Sequence, residues 1–213
     1  QILSFVEEMS NSVEELSNIQ KKQIVRYYTM LCEWNQKFNV VSRKNTEEIL
    51  KNNLIYSFVF LKAIQKHETR INAISDFGTG GGFPGILLAI CLPTKQIILV
   101  DSNRKKTLLL NKIKKALNLN VIIINSRVED LGEEIRHKSD CVTALAFTGL
   151  EELIELSYPF LNENGLLFTL KGKNYHQELL GDEKEKCKIY PEIMPEQLSK
   201  KLSVLKEKTM LRL

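Results

Sequence analysis

Asp76-Phe-Gly-Thr-Gly-Gly-Gly-Phe-Pro-Gly85 is the stretch on which the reading of the chain turns. It holds five of the ten glycines, and no glycine or proline precedes Gly78. Upstream, Ile71–Phe77 reads as a short apolar strand, and Pro84 suits the first turn of a helix running to about Cys91. Glycines between a strand and a helix let the backbone turn sharply and approach a ligand where a Cβ would collide. In an open α/β sheet that crevice, at the carboxyl ends of the strands, is where ligands bind.

Downstream, Lys95–Asp101 is a strong buried strand. Arg104–Leu117 presents Leu109, Leu110, Ile113, Ala116 and Leu117 on one helical face. Val121–Ile124, Cys141–Ala146 and Gly165–Leu170 read as further strands, and weaker ones near Lys188–Tyr190 and Lys201–Leu205 would close the sheet with a hairpin. Strands alternating with helices predict a mostly parallel sheet covered on both faces. Upstream of residue 71 the texture is helical. Ser12-Val-Glu-Glu15 has capping-box spacing, and Ile24, Tyr27, Tyr28, Leu31 and Phe38 recur at helical intervals with Trp34 near the end. Asn45-Thr-Glu-Glu48 looks like a second cap before Ile49, Leu50, Leu54, Phe58 and Leu61. Residues 1–70 are therefore expected to form an α-helical subdomain and 71–213 a nucleotide-binding type of domain.

The predicted second strand ends at Asp101, 21 residues after Gly80, where a carboxylate can accept hydrogen bonds from both hydroxyls of a ribose. Gly80-x-Gly82-x-x-Gly85 formally matches the dinucleotide fingerprint. Counted from Gly78, however, the pattern is Asp76-x-Gly78-x-Gly80 followed by a strand-terminal acid. That suits S-adenosylmethionine, which carries no pyrophosphate to place on a helix N-terminus. A second acid, Glu129 in Ser126-Arg-Val-Glu-Asp130, follows the third strand where an adenine edge would lie. The spacing favours S-adenosylmethionine and leaves NAD open. An NAD-dependent oxidoreductase would need a Tyr/Lys or His dyad that the sequence does not display.

The loop, Leu99-Val-Asp-Ser102 with Lys105-Lys106, Trp34-Asn-Gln-Lys-Phe-Asn39, Ser126-Arg-Val-Glu129 and Leu170-Lys-Gly172 together closely resemble the bacterial small-subunit rRNA methyltransferase G family, also called glucose-inhibited division protein B. The likeness covers nearly the whole chain. It implies a Rossmann-like class I methyltransferase with a mostly parallel seven-stranded sheet, transferring a methyl group from S-adenosylmethionine to guanine N7 in 16S rRNA. Binding positions carried over by the resemblance are Gly78, Phe83, Val128 and Glu129, with Asp101 as the ribose acid. Asp76, Gly80, Gly82 and Ser102 belong to the same cofactor segment. The family usually has Arg in its fourth-strand S-R-A-F segment, where this chain has Leu145 in Ala144-Leu-Ala-Phe147, so Leu145 holds a cofactor-site position without that side chain. A family H-x-x-D-S segment reads Asn53-Leu-Ile-Tyr56-Ser57 here. Both departures read as divergence. They also motivate the alternative of a non-catalytic RNA- or ribosome-binding module.

Guanine N7 already carries a lone pair, so in-line methyl transfer needs positioning and desolvation but no general base. The lack of an evident catalytic dyad agrees with that. Cytosine C5 methylation would need a nucleophilic cysteine, but Cys91 and Cys141 read as buried apolar residues. Ala146-Phe147-Thr148-Gly149 is unlike the N-P-P-Y type of loop common in amine methylation. Phe147 is open to base stacking, cofactor packing or a core role. For RNA, residues 101–120 carry Arg104, Lys105, Lys106, Lys112, Lys114 and Lys115 against Asp101 alone. That basic surface is the expected substrate contact, and the resemblance adds Lys171 and, in the same way, Arg127.

The totals bound the rest. Across 213 residues, 30 Lys+Arg against 26 Asp+Glu leave a net charge of +4, which permits nucleic acid without demanding it. A hydrophobic fraction of 43% excludes a mostly disordered chain. No apolar run is long enough to span a bilayer, Gln1 onward lacks signal-peptide layout, and Cys32, Cys91, Cys141 and Cys187 form no C-x-x-C. His67, His137 and His176 have no metal-ligand spacing. A monomeric cytoplasmic protein with neither metal nor membrane association is expected, and the resemblance implies the 16S rRNA of the small ribosomal subunit as its partner.

Overall fold

The computed structural model describes residues 2–13, 15–38, 45–178, 190–192 and 208–212. Three helices come first: α1 (Ile2–Val13), α2 (Asn18–Phe38) and α3 (Thr46–Gln65). Then β1 (Ala73–Phe77), α4 (Gly85–Cys91), β2 (Gln96–Val100), α5 (Arg104–Leu117) and β3 (Val121–Ile124) wind one way from the centre. β4 (Ser139–Ala144), α6 (Leu150–Ser157) and β5 (Leu161–Gly172) wind the other way, and β6 (Tyr190–Glu192) with β7 (Lys208–Arg212) completes the sheet. The strand order is β3-β2-β1-β4-β5-β7-β6. β1 through β5 pair in parallel, while β7 runs antiparallel to β5 and β6. The order reverses between β1 and β4, a topological switch point whose crevice lies at the carboxyl ends of those strands.

Period-two alternation sorts the strand residues between two cores. On one face Ile74, Ile97, Leu99, Cys141, Phe168 and Met210 join the helices α1 to α5 in a single cluster. On the other, Phe77, Ile98, Val100, Val142, Ala144 and Leu167 pack with Leu153 of α6 and with Phe160. Leu54, Phe58 and Leu61 of α3 share the first cluster with the sheet, so the helical segment and the strands bury one continuous core. α3 is accordingly apolar nearly all round, burying Ile55, Val59, Phe60 and Ile64 as well.

Several local expectations are corrected. Ser12 opens no helix: it lies inside α1, its hydroxyl donating to the Glu8 carbonyl at 2.9 Å, because Val6 and Met9 already bury a helical face there. The reciprocal cap sits five residues later. The Ser17 amide donates to Gln20 Oε1 at 2.9 Å, and the Gln20 amide donates to Ser17 Oγ at 3.2 Å. α3 starts as expected, but Asn45 adopts φ +57° with no side-chain cap bond, and Thr46 Oγ1 instead accepts from Asn35 Nδ2 at 3.1 Å. Ala116 is exposed, and Thr107 takes a buried place on that face of α5. Phe38 is 42% exposed rather than part of the α2 core stripe. The closing hairpin is β6 with β7, with residues 188–189 and 201–205 outside the described residues.

Candidate active site

The glycine loop is held from three directions. Behind it, the fully buried Asp76 carboxylate accepts from the Gly85 amide at 2.9 Å and from Thr143 Oγ1 at 2.9 Å. Above it, the Thr79 amide donates to the Val100 carbonyl at 3.1 Å, and the Gly80 amide donates to Asp101 Oδ2 at 2.8 Å. From α2, Tyr27 Oη donates to the Gly81 carbonyl at 2.9 Å. Gly78 and Gly80 have φ of +64° and +60°, a region where L side chains are strained. At Gly78 a Cβ would also collide with the Phe147 ring, so that ring rests directly on the bare backbone.

At the carboxyl ends of β1 to β4 lies a cavity of about 440 Å³, within the ~300–1,000 Å³ range of small-molecule pockets. Each strand contributes to its lining: Gly78 after β1, Asp101 to Asn103 after β2, Ser126 to Glu129 after β3, Ala146 and Phe147 after β4. Lys106 of α5 completes it. Asp101 is nearly buried. Besides the Gly80 amide, it accepts the Asn103 amide on Oδ1 at 2.8 Å and faces Lys106 Nζ at 3.8 Å. Asn103 in turn caps α5, its Oδ1 accepting the Lys105 amide at 2.9 Å, which fixes where the helix begins. Ala146 has φ +52°, and strain of this kind in a non-glycine residue concentrates at ligand sites. Burial lifts the Asp76 carboxyl to a pKa of about 7, with hydrogen bonds from Thr143 and Gly85 opposing the rise and the Asp101 charge adding to it.

Comparison with known proteins follows from this geometry. The profile of the family described as rRNA small subunit methyltransferase G matches residues 20–204. The chain belongs to that family. The methyltransferase G of Bacillus subtilis strain 168 is 34% identical over 181 residues, spanning 82% of this chain and 75% of that one. Its counterpart in Mycoplasma capricolum is 35% identical over 160 residues, spanning 75% and 68%. Among solved structures, the plantazolicin methyltransferase BpumL in complex with SAH superposes with a TM-score of 0.60 at 14% identity, covering 92% of this chain and 98% of that one. The Thermus thermophilus 16S rRNA N2 G1207 methyltransferase, in complex with AdoMet and guanosine, gives 0.54 at 18% identity, covering 73% and 42%. At those identities the structures speak for the Rossmann-like methyltransferase fold alone.

The cavity brings together Gly78, Asp101, Ser102, Val128 and Glu129 of the positions that pointed to the methyltransferase G family. Others lie elsewhere. Asp76 and Gly82 are buried outside the lining, and Gly80 contributes its amide to Asp101. The Phe83 ring is in the main core, 5.4 Å from that of Tyr27. Leu145 packs against the same core and is outside the lining. Arg127 and Lys106, expected on the RNA surface, line the cavity, whereas Arg104 and Lys105 are exposed on the first turn of α5. Lys171 is neither free nor in the lining. Its ammonium donates to the Thr148 carbonyl at 2.7 Å and pairs with Glu178 Oε2 at 2.8 Å, the same oxygen accepting the Leu150 amide at 2.9 Å. Lys171 thus braces the loop that carries Phe147. No helix among the described residues is long and apolar enough to cross a membrane, and no cluster of metal-ligating side chains occurs among them.

Proposed function

We propose that the protein transfers a methyl group from S-adenosylmethionine to guanine N7 of 16S rRNA in the small ribosomal subunit. The observation that carries this reading is the Asp101 carboxylate, nearly buried at the end of β2 and pinned to the Gly80 amide, within a cavity shared by Gly78 and Glu129. The residues fit the cofactor. Each Asp101 oxygen accepts one amide and retains a lone pair for a ribose hydroxyl. Glu129 faces the same cavity from the β3 end and can accept from an adenine amine. When bound, S-adenosylmethionine supplies a methyl group already activated on sulfonium.

This chain's own residues then position and desolvate. Gly78 brings backbone close to the cofactor's amino-acid end, and Phe147, seated on Gly78, closes that side against water. Lys171 and Glu178 hold the Phe147–Leu150 segment in place. No proton has to be removed from N7, which is why a site without a histidine or tyrosine in its described lining suffices. A hydride-transferring dehydrogenase would need such a group there.

Unmethylated small subunits incubated with the protein and methyl-labelled S-adenosylmethionine should yield labelled 7-methylguanosine after nuclease digestion. Label in another nucleoside, or none, refutes the proposal. In the same assay Lys171→Ala should lower kcat about tenfold, the effect of misplacing one contact worth ~1.4 kcal/mol, while calorimetric affinity for S-adenosylmethionine stays within about twofold, under ~0.5 kcal/mol. A matching loss of cofactor affinity would mean that Lys171 shapes the cofactor cavity instead.

A further inference from the structure

Away from the cavity, a groove of about 360 Å³ runs between α2 and α5, and Arg26, Trp34, Lys37, Phe38, Leu109 and Lys112 line it. The core stripe of α2 is completed by Ile24, Tyr27, Tyr28 and Leu31, so burial does not account for Phe38. Its ring lies 4.5 Å from that of Trp34, tilted by 36°, and is 42% exposed. Lys112 Nζ sits 4.6 Å from the centroid of the Trp34 ring. One acid, Glu33, is set among the three cations of the lining.

Both walls lead to the methyl-transfer cavity. On α5, Lys106 lines the cavity and Lys112 the groove; a separation of six positions spans about 9 Å at 1.5 Å per residue. On α2, Tyr27, which holds the Gly81 carbonyl, directly follows Arg26 at the near end of the groove. We infer that this groove is a second RNA-binding site, taking an unpaired base of the substrate strand on the Phe38 ring with its flanking phosphates against Arg26, Lys37 and Lys112. The choice of ligand rests on the rRNA-methyltransferase reading above. The site itself rests on its chemistry: an exposed aromatic face accepts the π-face of any base, and cations at its rim match phosphates. A protein helix would need a continuous apolar strip, whereas this lining offers Met30 and Leu109 beside the two aromatic rings.

Filter binding of unmethylated small-subunit rRNA to the full chain, without cofactor, tests the inference. Phe38→Ala should weaken binding about tenfold, the low end of losing one base–aromatic stack, and Phe38→Trp should restore it. Arg26→Glu with Lys37→Glu should weaken binding further and flatten its salt dependence. Affinity for S-adenosylmethionine should be unchanged in all of them. Equal RNA affinity in wild type and Phe38→Ala overturns the site, as does a photo-crosslinker placed at position 38 of this chain that, with small subunits bound, labels a ribosomal protein and not RNA. Because binding is read without methyl transfer, a wild type that binds rRNA but methylates nothing ends the methyltransferase reading and leaves the groove to be judged by its own variants. A wild type that binds no rRNA ends the groove proposal, while the methyltransferase reading is judged by the labelling of small subunits.

Discussion

Asp101→Ala is expected to weaken S-adenosylmethionine binding at least a hundredfold, measured by calorimetry. On the proposed reading the carboxylate serves both the loop and the ligand. It accepts the Gly80 amide on Oδ2 and the Asn103 amide on Oδ1, each at 2.8 Å, which sets the loop against the end of β2. Its remaining lone pairs would accept the ribose hydroxyls of the proposed cofactor. Hydrogen bonds to a charged group contribute about 1.5–3 kcal/mol each, so losing two toward the ligand corresponds to ~10²–10⁴ in affinity. Removing the acid also leaves Lys106, 3.8 Å away, without its partner in the cavity. A coupling measurement separates the two roles. With an S-adenosylhomocysteine analogue lacking both ribose hydroxyls, the penalty for Asp101→Ala should shrink to the loop contribution alone. If the penalty is the same for both ligands, Asp101 acts through the loop and the ribose contact is wrong.

The site was legible where chemistry is tied to a strand end. Gly78, Asp101 and Glu129 follow three successive parallel strands, and alternation plus turn residues locate such ends well. α5 was also legible, from the apolar spacing of Leu109, Leu110, Ile113 and Leu117, and the structure adds Asn103 as its cap and Asn118, at φ +52°, as its end. Side-chain direction was not. Sequence places Lys106 on the polar side of α5, but only the fold shows the first helical turn leaning over the cavity, so that this lysine faces Asp101. Phe147 was ambiguous for a related reason: the left-handed Ala146 aims its ring onto Gly78, and alanine gives no hint of that conformation. At the N-terminus, Ser12 and Ser17 both head a Ser-x-x-Glu/Gln pattern. Burial of Val6 and Met9 decides between them, and burial is a tertiary property.

Asp76 belongs to the same motif as Asp101, yet its variant should behave differently, and pH separates them. Asp76 is fully buried, and its carboxyl is lifted to about 7, against roughly 3.9 in an unfolded chain. Between those values the folded protein keeps a proton that the unfolded chain has released, so this group's contribution to stability is complete below about pH 4 and is lost as pH rises through 7. Asp76→Asn removes the titration while preserving the contacts: its carbonyl oxygen can still accept the Gly85 amide, and its amine can donate to the Thr143 hydroxyl, which is free to reverse its role. The variant should therefore gain on the wild type as pH rises, by on the order of 4 kcal/mol between pH 4 and pH 8, at about 1.4 kcal/mol per pKa unit. Urea denaturation of both proteins across that range measures the difference, and parallel stability curves would show that Asp76 does not titrate there. Cofactor affinity should change little at a fixed pH of 8. Asp76 touches the loop from the side away from the cavity, so a neutral hydrogen-bonding substitute keeps the glycines in place, while no neutral substitute at Asp101 can supply a carboxylate to the ribose.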